Sequence, residues 1–221
     1  MFNDISGRYD FLNHFLSFGV DYNWRTKFVR QLARCKPVNV LDVATGTGDL
    51  AILIATKLPA HVTGIDIAVK MLEIANQKAV QRELQQKLTF MEGDAEVLPF
   101  PDEFFDAVTV AFGVRNFEHL EKGLTEMKRV MKTGGMMMIL EFSHPSSFPW
   151  KQLYKFYSRT MIPLIGRMVS RNKQAYSYLP ESVSAFPSGN EFLEIMHNTG
   201  MKNVSQRVLT FGIATLYSGA K

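Results

Sequence analysis

The chain has a single cysteine, Cys35, among 221 residues. It can close no internal disulfide and build no thiolate metal cluster, and such cysteine usage fits a reducing compartment. Its five histidines are scattered, with no pair at metal-ligand spacing, so no metal is expected. No apolar run is long enough to cross a bilayer, and Asp4, Arg8 and Asp10 break up any signal-type apolar stretch at the start. Repeats and low-complexity tracts are missing. So are arginine-rich arms and aromatic-basic RNA motifs, which turns the net charge of +4 towards an anionic membrane surface rather than nucleic acid. One further absence is local: no acidic residue occurs between His144 and Pro180, although the chain carries 21 acids in all.

What is present is enough for one core, since 46% of the residues are hydrophobic and 21% charged. The most informative stretch runs Val40-Leu41-Asp42-Val43-Ala44-Thr45-Gly46-Thr47-Gly48-Asp49-Leu50-Ala51. It reads as a short apolar strand, a glycine turn and a helix start, a geometry that aims backbone N–H groups at a ligand. Gly46 and Gly48 let the backbone approach without a Cβ in the way. The same glycines also fit the alanine-ending dinucleotide fingerprint. Asp42 argues against that reading, because a carboxylate beside the turn repels a pyrophosphate but attracts the α-amino group and sulfonium of S-adenosylmethionine. The next strand, His61 to Ile67, carries Asp66, which could accept both ribose hydroxyls of either cofactor. The third, Leu88 to Glu92, leads to Asp94 and Ala95, placed to accept from the adenine amino group and to donate to the ring. An acid before the glycine loop, an acid on the second strand and an acid-small pair after the third form the pattern of S-adenosylmethionine-dependent methyltransferases.

Apolar runs alternate with helical stretches along the chain, as in a doubly wound parallel sheet. Strands continue at Phe105 to Ala111 and Gly135 to Phe142, the latter entered through the turn Lys132-Thr133-Gly134-Gly135. Helices are expected from Asp49 to Leu58, from Ala68 into Gln81, and from Phe117 to Met131 with Leu120, Leu124, Met127 and Met131 at helical spacing. Met136, Met137 and Met138 read as core filling within a buried strand rather than as a cofactor box. Gly189 to Asn198 reads as a helix stopped by Gly200, followed by strands Asn203 to Leu209 and Gly212 to Ser218 as a closing hairpin. The predicted fold is therefore α/β, a Rossmann-like, mostly parallel sheet of seven strands with helices on both faces and an antiparallel C-terminal hairpin.

Tyr9-Asp10-Phe11-Leu12-Asn13, Leu16-Ser17 and Trp24, with Arg129 to Gly135 and Leu140-Glu141-Phe142-Ser143, resemble the two signatures of the ubiquinone/menaquinone biosynthesis C-methyltransferases. Phe112-Gly113-Val114-Arg115-Asn116-Phe117 resembles that family's intervening segment. The resemblance covers essentially the whole chain. It implies the class I fold and methyl transfer from S-adenosylmethionine to a ring carbon of a polyprenylated quinol. It also implies cofactor contacts at Thr47, Asp66, Asp94 and Ala95, with Ala111 ending the fourth strand. Asp21 stands where the family usually has histidine and can replace it as a hydrogen-bond acceptor only. Thr133 replaces a usual proline. The chain starts close to Tyr9, where the family carries a further helical segment, so a longer natural N-terminus is expected.

A quinol ring carbon becomes strongly nucleophilic when its neighbouring hydroxyl, with a pKa near ~10, is deprotonated or polarised. Arg115 stays protonated and can hold the phenolate or a proton-accepting water, with Asn116 orienting it and Tyr9 as a third candidate. The alternatives are a loop salt bridge for Arg115, a helix cap for Asn116 and core packing for Tyr9. His14 and His119 read as packing or solvated residues.

The stretch 144–180 is long for a connection within a compact domain. Its aromatics and aliphatics interleave with basic residues, and Lys151, Lys155 and Arg159 share one helix face opposite an apolar one. That composition suits an interfacial helix meeting anionic headgroups and a prenyl tail; a solvated helix on the sheet is the alternative. The expected organisation is one methyltransferase domain over 1–221, with an N-terminal helical lid at 1–36 and a substrate-side insert at 144–180. The expected substrate is demethylmenaquinol, with a ubiquinone precursor as the alternative and a catalytically silent quinone- or lipid-binding protein as the rival from another class. The expected location is cytoplasmic, peripheral at the inner face of the membrane, with a homodimer as one option for assembly.

Overall fold

A computed structural model describes residues 19–145, 148–150, 152 and 181–221 of the chain. Seven strands form one sheet in the order β3-β2-β1-β4-β5-β7-β6. They are β1 (Asn39–Val43), β2 (His61–Asp66), β3 (Leu88–Glu92), β4 (Phe105–Ala111), β5 (Met131–Phe142), β6 (Lys202–Leu209) and β7 (Ala214–Ala220). The first five run parallel, and β7 lies antiparallel between β5 and β6. Val40 packs with one hydrophobic cluster, and its neighbours Leu41 and Val43 pack with the other. A strand buried on both faces needs such an unbroken apolar run, because successive side chains point to opposite sides. The methionine run behaves likewise: Met137 and Met138 are fully buried, in different clusters.

The described helices are α1 (Val20–Leu32), α2 (Asp49–Lys57), α3 (Val69–Gln81), α4 (Leu120–Val130) and α5 (Asn190–Asn198). Residues 20–32, read from sequence as part of a lid, are built into the core instead. Trp24, Phe28, Val29 and Leu32 are buried in one cluster with Leu50, Ile54 and Phe142, and Trp24 meets Phe142 edge to face. The part of the expected lid before Gly19 lies outside the described residues. Helix α4 starts three residues later than the periodicity predicts. Phe117 is extended, and residues Val114–Asn116 form a 3₁₀ turn. The side chain of Glu96 then takes over as cap, its Oε1 accepting the His119 N–H at 2.6 Å. At the other end Met131 already belongs to β5, so the predicted turn Lys132 to Gly135 lies within the strand, with Gly134 at φ 80°.

Candidate active site

The chain leaves β1 on one side of the sheet towards β2 and β3, and on the other towards β4 and β5. Helical crossovers therefore diverge at the carboxyl ends of β1 and β4, where an open α/β sheet forms its crevice. A cavity of about 250 Å³ opens there. The turn after β1 makes one wall, with Ala44, Gly46 and Gly48 all in the left-handed region. The two glycines do different work. A Cβ on Gly46 would touch only the Met71 sulfur, at 3.7 Å, so this position presents its backbone to the cavity. A Cβ on Gly48 would sit 2.9 Å from Phe90 and 3.0 Å from Ala75. Gly48, expected from sequence as a ligand contact, is not among the lining residues; it lets α2 pack closely on α3 and β3.

The acids predicted on successive strand ends all line this cavity. Asp42 is buried and accepts from Thr45 Oγ1 at 2.6 Å and Thr109 Oγ1 at 2.8 Å. Burial pushes its pKa up to about 6, against the pull of the two hydroxyls and of Arg25. Asp66 bridges β2 to the glycine turn, accepting the Gly46 N–H on Oδ2 and the Ala68 N–H on Oδ1, each at 2.8 Å. Burial raises its pKa as well, ahead of the opposing backbone hydrogen bonds. Both oxygens keep lone pairs for further donors. Asp94 accepts the Glu96 N–H at 2.8 Å and lies beside Ala95, while Thr47 and Ala111 complete the predicted set on the cavity wall.

Arg25, Glu96, Phe112 and Phe117 are among the lining residues to which the sequence reading gave no site role. Arg25 projects from α1 and pairs with Asp21 one turn earlier; the carboxylate at the family's histidine position thus serves as its counter-ion. The pattern carried a signal, since Arg25 directly follows the buried Trp24 on the flank of an apolar stripe. Glu96 is held by the His119 backbone, by His119 Nδ1 at 2.9 Å and by Lys122 Nζ at 3.6 Å, and these contacts, led by the backbone N–H, lower its pKa. Phe117 and Phe112 supply apolar wall.

The segment expected to carry the chemistry divides. Asn116 lines the cavity, whereas Arg115 does not. The Arg115 side chain is 2% exposed, paired with Glu141 at 2.8 Å and donating to the Phe112 carbonyl and, at 3.3 Å, to Ser182 Oγ. Its backbone N–H also reaches Glu141, at 3.3 Å, and its guanidinium lies over the Phe142 ring. The guanidinium expected to hold a phenolate is committed inside the fold because Glu141, fully buried on β5, requires a counter-charge. Tyr9 lies outside the described residues.

A sheet of this order, with a glycine turn after β1 and acids closing β1, β2 and β3 on one cavity, defines a class I S-adenosylmethionine-dependent methyltransferase. The fold matches a solved SAM-dependent methyltransferase of Thermotoga maritima with a TM-score of 0.68 at 19% identity, over 100% of this chain and 97% of that one. The chain belongs to the ubiE/COQ5 methyltransferase family, whose model matches residues 1–221. It is 48% identical to the demethylmenaquinone methyltransferase of Porphyromonas gingivalis, over 100% of this chain and 91% of that protein. It is 45% identical to the demethylmenaquinone methyltransferase of Thermus thermophilus, over 99% of each.

The cavity suits S-adenosylmethionine on its donor set, since carboxylates that match its cationic centres line the wall beside polar groups able to pair with a nucleoside. When bound, the cofactor supplies an electrophilic methyl carbon on its sulfonium.

Proposed function

We propose that this protein methylates a ring carbon of a polyprenylated quinol, converting demethylmenaquinol to menaquinol, and that the cavity at the ends of β1 and β4 holds the methyl donor. The observation that carries the reading is full-length membership of the ubiE/COQ5 family, with relatives near half identity named demethylmenaquinone methyltransferases. In this reading Asp42 faces the cationic amino-acid end of the donor, Asp66 accepts from the ribose and Asp94 with Ala95 binds the adenine edge. Thr47, Gly46 and Ala111 shape the wall.

For the acceptor, Asn116 brings the side-chain amide of its segment to the cavity wall, and that amide can donate to the quinol oxygen as negative charge develops there. Arg115 acts through it as a positioning residue, bracing the 3₁₀ turn against Glu141 and lending positive charge close behind it. Tyr9 remains a candidate contact to the acceptor.

The quinol tail places the protein at a membrane surface in this account. Among the described residues no helix is long and apolar enough to cross a bilayer, so docking is peripheral. Phe148 is 81% exposed, and the exposed Phe211 stacks on Trp150 at 3.8 Å where the basic insert begins. Such a surface supports an interfacial role for 144–180, most of which lies outside the described residues. The test is competition: with S-adenosylmethionine saturating, short-tailed demethylmenaquinol and a matched benzoquinol are offered together. The naphthoquinol should carry nearly all the product. Preferential benzoquinol methylation would reassign the substrate, and no product from either would leave the silent binding protein.

A further inference from the structure

The geometry points to Arg25 as the carboxylate subsite of the cofactor cavity, its Nε–Nη2 edge receiving the α-carboxylate of S-adenosylmethionine. This rests on the donor site assigned above and adds a contact that the motif resemblance does not carry. The cavity is lined by Asp42, Asp49, Asp66, Asp94, Glu96 and Glu118, and Arg25 is the single Lys or Arg among its described lining residues. The donor carries two cationic centres and one anion. Six acids welcome the first two and repel the third, so the carboxylate must sit where a cation offsets them.

Arg25 is built for that place. It is only 7% exposed, and its guanidinium lies over the Phe112 ring, 5.4 Å from the centroid. Nη1 is taken by Asp21. Nη2 comes no nearer than 3.9 Å to Asp49 Oδ2, which already accepts Lys78 through its other oxygen at 2.8 Å. Nε is buried and has no hydrogen-bond acceptor among the described residues. A buried donor left without a partner is costly, and its usual explanation is a ligand or water that completes it. Nε and Nη2 form the side edge of the guanidinium, whose two parallel N–H groups match a carboxylate bidentately. Position agrees with this chemistry. Arg25 is close enough to Asp42 to lower its pKa, so a carboxylate on Arg25 leaves the neighbouring α-amino group facing Asp42. From there Asp66 and then Asp94 follow along successive strands towards the adenine end.

The test compares two ligands that differ in the amino-acid end. Titration calorimetry on the full chain measures S-adenosylhomocysteine, which has the carboxylate, and 5′-methylthioadenosine, which does not. Arg25→Met should weaken the first about ten- to a hundredfold and move the second less than about twofold. Arg25→Lys should fall between, retaining charge but losing the fork. Because removing the guanidinium takes from Asp21 its ion-pair partner, the paired Asp21→Asn, Arg25→Gln variant repeats the comparison without that ion pair. A crystal structure of the wild-type protein with S-adenosylhomocysteine decides the point without any variant. The carboxylate should lie within hydrogen-bond distance of Nε and Nη2. Equal losses for both ligands, no loss for either, or a carboxylate bound elsewhere overturns the proposal. If the wild type binds neither ligand, the donor site itself is misassigned, a different failure.

Discussion

Asp42 is the residue whose chemistry is most exposed to experiment. Its pKa rises from an ordinary 3.8 to about 6 on folding, chiefly through burial. The folded state therefore holds the proton more tightly than the unfolded one. The resulting penalty is absent below about pH 4, grows as pH rises towards 6 and is complete at neutral pH, where the shift corresponds to about 3 kcal/mol. Asp42→Asn should gain about 1–3 kcal/mol of ligand-free stability at neutral pH, measured by urea unfolding, and should gain nothing near pH 4. It should also bind S-adenosylmethionine more weakly. In the wild type, affinity should climb between about pH 5 and 7 as the carboxylate ionises, and in the variant that climb should flatten. Identical calorimetric pH profiles for the two proteins would remove Asp42 from the cationic end of the site.

Arg115 answers to a different measurement. Because its partner Glu141 is fully buried, Arg115→Ala strands a charge and should cost about 3–5 kcal/mol of stability. The double variant Arg115→Ala, Glu141→Gln should recover much of that loss while methylation remains slow, since Asn116 has lost its brace. Full activity in the refolded double variant would make Arg115 purely structural. The acids on the strand ends were legible because their spacing follows the strands. For Arg115 a salt bridge was the alternative reading, and the structure shows one, but nothing local to Phe112–Phe117 announces that Glu141, 26 residues on, is its partner.

At the level of elements, the glycine turn separates two jobs that the motif merges. Gly48→Ala forces a left-handed φ of 80° on a residue with a Cβ and drives that Cβ into Phe90 and Ala75. It should cost about 2–4 kcal/mol. Gly46→Ala meets only the φ cost, about 1 kcal/mol, but sets a methyl on the cavity wall, so cofactor affinity should suffer more than stability. Parallel urea and calorimetric titrations of the two variants check this; the reverse ranking would contradict it. The strands and most helices were readable from periodicity. Helix α4 began late for a reason that periodicity cannot hold, a cap supplied by Glu96 from a loop 23 residues earlier. Residues 20–32 fell within the stretch 1–36 expected as a lid, and α1 carries Asp21 and Arg25 beside Trp24 and Phe28. Both charges turned out to be buried as a pair, which apolar periodicity alone does not reveal.

For the whole molecule, the class of sheet followed from the alternation of strands and helices, with the hairpin seen as a closing pair. That β7 would insert between β5 and β6 depends on long-range pairing, Met136 with Ala220 through Phe142 with Ala214. The insert at 144–180 is where the account reaches from fold to membrane. Reversing Lys151, Lys155 and Arg159 to glutamate should reduce sedimentation with anionic vesicles, since each basic residue near such a surface contributes about 1 kcal/mol, and added salt should mimic it. S-adenosylmethionine affinity should stay unchanged. Equal sedimentation of the variant and the wild type would return the insert to an ordinary lid.

The central claim, that this cavity delivers a methyl group to carbon, is tested most directly by the position of the transferred label. The protein is incubated with S-adenosylmethionine bearing a deuterated methyl group and a short-tailed demethylmenaquinol, and the product is read by proton NMR and mass spectrometry. The account predicts that the lone quinone-ring C–H disappears, replaced by a deuterated methyl on carbon, with both hydroxyls intact. A retained ring C–H with the label on oxygen, or no transfer with the donor shown to be bound, would contradict it.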